Sequence, residues 1–184
     1  MNKKAIFQSS AARTVAFVGV MAATLECAKL VLAVLPNIEV VSLLCAIFGY
    51  VFGISGVIAA VVFVFIEPLI WGFGPWFFTY IIYWPMLAFL FMMLAGRGVK
   101  NRWIITGIAL LMTLGFGVLS AVFDSIFYIG INEYYLKNLA IYYLRGLPFY
   151  ALQLACNAVL FTTLFPFLSG RVLRLKQGFA NGKM

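Results

Sequence analysis

The sequence predicts an all-α membrane protein: six transmembrane helices in one domain, residues 1–184, with both termini cytoplasmic. Three observations carry this prediction. Apolar residues make up 65% of the chain and charged residues 10%, whereas soluble domains run at roughly 45–50% and about 25%. A soluble domain of this size has no way to hide so much apolar surface. The apolar residues also fall mostly in runs of about 20, which fit helical spans rather than alternating barrel strands. Finally, the basic residues gather at alternate ends of those runs.

Span one runs from about Thr14 to Leu35 and ends at Pro36-Asn37. It is too long for a signal-peptide core and is expected to remain as the first span. Span two covers Ile38 to Phe52 and is closed by Gly53-Ile54-Ser55-Gly56. Span three covers Val57 to about Trp71 and stops at Gly72-Phe73-Gly74-Pro75. Spans two and three are short, so they form a tilted hairpin or one of them crosses incompletely. Span four covers Trp76 to Ala95, and span five Trp103 to about Phe127. The last lies between Leu139 and Leu168, with Pro148 expected to break or kink its outer end.

With six spans, Lys3, Lys4, Arg13, Arg97, Lys100, Arg102, Arg171, Arg174, Lys176 and Lys183 all fall on one side. The positive-inside rule makes that side cytoplasmic. The net charge of +8 is therefore read as a topology signal and not as a nucleic-acid surface. The acids show the reverse: Glu39, Glu67, Asp124 and Glu133 are expected at or near the outer ends, with Glu26 inside span one.

Several functions are excluded. There is no G-x-x-x-x-G-K-[ST] loop, so the chain is no ATPase of its own. Without histidine it has neither a zinc-protease helix nor a Ser-His-Asp triad. Cys27, Cys45 and Cys156 form no C-x-x-C pair and read as packed thiols, so no metal or cofactor is expected.

The candidate ligand residues lie in the outer half. Glu26 and Lys29 share a helix face, roughly 13 and 9 Å inside the outer end of span one. Groups at such depth face a partner or a cavity. They are either an ion pair holding helices together or a polar cavity wall. Glu67 opposes the helix macrodipole at the end of span three, which argues against a role in helix stability. It pairs with Lys29 or Arg145, contacts a ligand, or is solvated. Trp71, Trp76, Tyr80, Tyr83 and Trp84 surround one outer loop, and Tyr128 and Tyr143 another. An interfacial belt accounts for part of this set. Trp103 is the only Trp at the inner end, however, and an aromatic-lined outer pocket explains that asymmetry. Gln153 and Asn157, four apart in the last span, are helix–helix glue or ligand contacts. Ala12, Ala16, Gly19 and Ala23 form a small-residue stripe on span one, which serves packing within the bundle or docking of a separate subunit.

Size, topology, the missing ATPase motif and the Ala12–Ala16–Gly19–Ala23 stripe resemble the substrate-binding S component of energy-coupling-factor (ECF) vitamin transporters. So do Leu35-Pro36-Asn37-Ile38-Glu39-Val40-Val41-Ser42-Leu43-Leu44 and Gly49-Tyr50-Val51-Phe52-Gly53. The resemblance covers nearly the whole chain in layout and these stretches in sequence. It implies a multi-pass protein of the bacterial plasma membrane that is not an enzyme. The expected partners are a transmembrane coupling subunit, two cytoplasmic ATPases, the lipid bilayer and a vitamin, with no nucleic acid. It implies that the small-residue stripe is the docking face. It also implies that the loops around Asn37, Trp71–Trp76 and Asp124–Arg145 form or cover the pocket. By overall resemblance the expected ligand is cobalamin or a related corrinoid, with pyridoxine-like compounds, queuosine precursors and other vitamins as alternatives. A small membrane enzyme using Glu26, Lys29 and Glu67, or an assembly protein, stands as the reading from another class.

Overall fold

The computed structural model describes residues 3–35 and 38–180. Asn37, a candidate ligand residue, and Lys183, one of the basic set, lie outside the described residues. The chain forms α1 (Lys3–Leu32), α2 (Val41–Phe52), α3 (Ile54–Trp71), α4 (Trp76–Gly96), α5 (Arg102–Tyr128) and α6 (Tyr135–Ala180). There is no strand among the described residues.

Five of these helices are long and apolar enough to cross a membrane. The exception is α2, whose 12 residues span about 18 Å against roughly 30 Å of hydrocarbon. Of the two short spans expected, α2 is the one too short to cross alone; its expected start at Ile38 is corrected to Val41, because residues 38–40 are not helical. The correction at α6 runs the other way. Its 46 residues form one helix that contains both Pro148 and Pro166, so Pro148 does not end it. Each proline removes one backbone hydrogen bond, a loss that membrane helices absorb by local adjustment and by contacts with neighbours.

Local chemistry explains the boundaries. Asn101 caps α5, its side-chain oxygen accepting from Trp103 N at 2.9 Å. Gly53, at φ +63°, makes the reversal between α2 and α3, a conformation that costs glycine little. Glu39 stands just before α2 and accepts from Ser42 N at 2.7 Å, placing negative charge at a helix N-terminus.

The helices pack around α2, which contacts α1, α3, α4 and α6. It approaches α4 closely enough that a Cβ on Gly49 would collide with the Ala88 backbone. The core holds Leu25, Ile47, Phe63, Leu87, Phe91, Phe161 and Phe165, all buried. By contrast α1 is peripheral, and its backbone packs beside α2 and α3 alone.

Three contacts define one end of the bundle. Phe17 stacks on Phe52 at 6.2 Å, Tyr50 donates to Val99 O at 2.8 Å, and Lys176 donates to Val51 O at 2.7 Å. The first half of α1, the α2–α3 turn, the α4–α5 connection and the last part of α6 therefore meet at this basic end. Lys29 beside Trp71 and Trp76, and Phe78 stacked 5.0 Å from Phe127, mark the opposite, aromatic end.

Candidate functional site

The site is built where α2 begins. Asn157 on α6 donates from Nδ2 to Glu39 at 3.3 Å and to Thr113 Oγ1 at 3.0 Å. Thr113 lies 11 residues from the start of α5 and 15 from its end, about 17 and 22 Å along the axis. Glu39 thus stands near mid-depth. This corrects the expectation that it lies at the outer end: the connection from α1 reaches down into the bundle, and the short α2 completes the way to the basic end.

Above Glu39 is a cavity of about 190 Å³. Lys29, Leu32, Ala33 and Leu35 wall it on the α1 side, and Ile38, Glu39 and Val41 form its floor. Tyr80 and Trp84 of α4, Phe116 of α5 and Gln153 of α6 complete it. The α4 residues follow helical spacing, since Trp76, Tyr80 and Trp84 at i, i+4 and i+8 share one face. Their rings form a continuous stack of edge contacts, 5.2 Å from Trp76 to Tyr80 and 5.6 Å from Tyr80 to Trp84. Tyr83, one position earlier on the helix, packs 4.9 Å from Phe116 and is buried.

Lys29 closes the outer side. Its ammonium lies 4.9 Å from the Tyr80 ring centre, 5.6 Å from Trp71 and 5.9 Å from Trp76, within cation–π range of all three. It is also ion-paired with Glu67, whose side chain is fully buried. Of the partners considered for Glu67, the structure selects Lys29 over Arg145, and full burial overturns a solvated role. The self-contained Glu26–Lys29 pair is likewise replaced. Glu26 is buried, and neither of its carboxylate oxygens has a hydrogen-bond partner among the described residues.

Several polar atoms around the cavity are buried without a partner among the described residues: Trp84 Nε1, Gln153 Oε1 and Asn157 Oδ1. Buried polar groups are nearly always satisfied in native proteins. Trp84 and Gln153 line the cavity, so one donor and one acceptor lie on residues that a ligand with complementary groups would meet, with Asn157 behind them. The cavity thus combines aromatic faces, one cation, one carboxylate and one amide. No group of three or more Cys, Asp or Glu side chains suited to a metal converges among the described residues.

The structure brings Lys29, Tyr80, Trp84 and Gln153 into the lining, with Glu67, Trp71, Trp76, Tyr83 and Asn157 in direct support. It separates Tyr128, Tyr143 and Arg145 from them. Tyr128 is exposed and stacks on Tyr142 at 6.5 Å. Tyr143 packs on Tyr150 and lines a different, apolar depression beside Leu136 and Leu139. Arg145 is exposed on α6. These three are corrected out of the cavity, because α6 extends well past it. Glu39 and Phe116 line the cavity and Thr113 accepts from Asn157 beneath it, three positions absent from the expected set. Glu39 had one legible signal, as the single acid between Glu26 and Glu67 at the head of an apolar helix.

On α1, Ala12, Ala16, Gly19 and Ala23 are all exposed, and a Cβ on Gly19 would meet nothing within 4 Å. Packing within the bundle, one reading of the stripe, is overturned: α1 buries its opposite face, with Met21, Ala22 and Leu25. The cysteine reading is corrected in part, since Cys45 is buried but Cys27 is exposed and Cys156 half-buried.

Comparison with protein-family models, with curated proteins and with solved structures gives no match.

Proposed function

We propose that this chain is the substrate-binding S component of an ECF-type importer, which captures a vitamin-class ligand in the outer half of the membrane and is energised by separate subunits. The carrying observation is the cavity between Lys29 and Glu39, with its aromatic wall and its unpartnered buried donor and acceptor. Such a site binds by enclosure and hydrogen bonding. In this reading the basic end faces the cytoplasm, as the positive-inside rule requires, and both termini lie there. Five helices run between the two faces, and α2 covers the inner half only. The exposed small-residue face of α1 receives the transmembrane coupling subunit, with two ATPases below it. The membrane is the bacterial plasma membrane.

The cavity bears on the ligand as well. Its volume of about 190 Å³ is below the roughly 300–1,000 Å³ of pockets for drug-sized ligands. A corrinoid, the ligand implied by the resemblance, is larger than this space and enters only if the cavity widens. A small planar heterocycle fits the space as it stands, so a compound of pyridoxine or queuosine-precursor size is the ligand we favour.

A binding screen against the purified protein tests this, with cobalamin, cobinamide, pyridoxine and queuosine precursors as probes. Tight binding of one small heterocycle, together with co-purification with coupling and ATPase subunits on co-expression, is expected. Absence of both sinks the proposal. Tight cobinamide binding returns the corrinoid reading. Turnover of a lipid by the chain alone favours an enzyme.

A further inference from the structure

The basic end carries a second cavity, of about 210 Å³, in a cleft between α2, α5 and α6. Lys100 and Arg102 flank its mouth, and Tyr50, Ser169 and Gly170 lie along it. Its remaining wall is apolar, formed by Ile105, Phe165 and Leu173. We propose that this cleft is a seat for an anionic phospholipid, with the phosphate at Lys100 and Arg102 and the acyl chains leaving along α5 and α6.

The chain has five acidic side chains, and none lies at this end; Glu39 is at mid-depth. Among the described residues the one ion pair is Lys29–Glu67, so neither Lys100 nor Arg102 has a carboxylate partner. Two neighbouring cations are already committed to backbone carbonyls, Lys176 to Val51 O at 2.7 Å and Arg174 to Gly170 O at 3.3 Å. The pair at the mouth is left to an external anion.

Polarity also changes along the cleft. A free phosphate would have no use for the Ile105, Phe165 and Leu173 wall, whereas a lipid places its head at the cations and its chains on that wall. Basic pockets between membrane helices on the cytoplasmic side are a recurrent seat for anionic head groups. Arg102 stacks 4.9 Å from the Trp103 ring, and Trp103 is exposed, which marks a residue of the membrane interface. The cleft therefore opens where phosphates of a bilayer lie.

The test uses the full chain in detergent, titrated with phosphatidylglycerol, phosphatidylcholine or inorganic phosphate and read by native mass spectrometry and thermal unfolding. Phosphatidylglycerol is expected to remain bound and to raise the unfolding temperature, while phosphatidylcholine and phosphate do neither. K100Q/R102Q is expected to weaken the lipid about tenfold or more, in line with the contribution of two cations near a membrane surface. R171Q/R174Q removes the same charge outside the cleft and is expected to bind as the parent does. Gly170→Leu keeps every charge and fills the cleft, since a Cβ there meets nothing within 4 Å; it too is expected to lose the lipid. Equal loss in both charge variants means diffuse attraction and overturns the proposal. Stabilisation by inorganic phosphate equal to that by the lipid makes it a simple anion site and overturns it as well. Unchanged lipid binding in K100Q/R102Q, with loss of a co-expressed coupling subunit, reassigns the cleft to a protein contact.

Discussion

Lys29 and Glu67, 38 residues apart, form an ion pair that ties α1 to α3 at the outer side of the cavity. The carboxylate is fully buried and the lysine side chain is 24% exposed. Removing one partner strands the other charge in an apolar setting. Lys29→Met alone and Glu67→Gln alone are each expected to destabilise the protein by about 3–5 kcal/mol, and the double variant by clearly less than their sum. Thermal or denaturant unfolding in detergent measures all three, and additive effects would show that the pair is uncoupled.

Asn157 joins α6 to Glu39 and Thr113, so its replacement acts on the cavity floor. Asn157→Leu leaves buried acceptors unsatisfied at about 1–3 kcal/mol. Ligand affinity is expected to fall about tenfold or more, as measured by calorimetry on the variant. Equal affinity would remove Asn157 from the site.

Tyr128→Ala and Arg145→Gln provide the converse. Both residues are exposed on the α5–α6 hairpin, away from the cavity. Surface changes of this kind usually fall within about 0.5 kcal/mol, and ligand affinity is expected to stay within about twofold. A large loss would place this hairpin over the ligand.

Gly49 and Gly19 differ in what surrounds them. Gly49→Ala drives a methyl into the Ala88 backbone and is expected to cost about 1–3 kcal/mol or more by forcing α2 and α4 apart. Gly19→Ala meets nothing and is expected to be neutral or stabilising in the isolated chain. Unfolding midpoints of the two variants check the contrast.

Ala16→Trp puts a large side chain on the exposed face of α1 without disturbing the core. Co-purification with coupling and ATPase subunits is expected to be lost while ligand binding persists. Loss of ligand binding with docking retained would contradict the assignment of that face.

The helix pattern was legible wherever apolar runs end in charged or helix-breaking residues. α4 was expected from Trp76 to Ala95 and runs from Trp76 to Gly96, because Pro75 and Arg97-Gly98 delimit it on both sides. α2 was misjudged because Ile38, Val40 and Val41 look alike as apolar residues, and hydropathy does not record where a helix begins in depth. The pairing of Lys29 with Glu67 was among the expected alternatives, since few opposite charges occur in the outer half. The place of Glu39 was not, because it depends on Asn157, 118 residues later. The separation of Tyr128, Tyr143 and Arg145 from this cavity was not legible either. Aromatic and basic residues near an outer loop look the same in sequence whether they enclose a ligand or extend past it.

The unbroken course of α6 has a mechanical consequence. The same helix carries Gln153 and Asn157 at the cavity and Arg171 and Arg174 at the basic end. Asn157 and Arg174 are 17 residues apart on α6, about 26 Å on a rod held by hydrogen bonds at nearly every turn. Pro166 lies between them and removes one of those bonds, which leaves the rod a weak joint at that residue. On the proposed function, a movement of the basic end reaches Gln153 and Asn157 through this helix, and Pro166 is where that linkage gives.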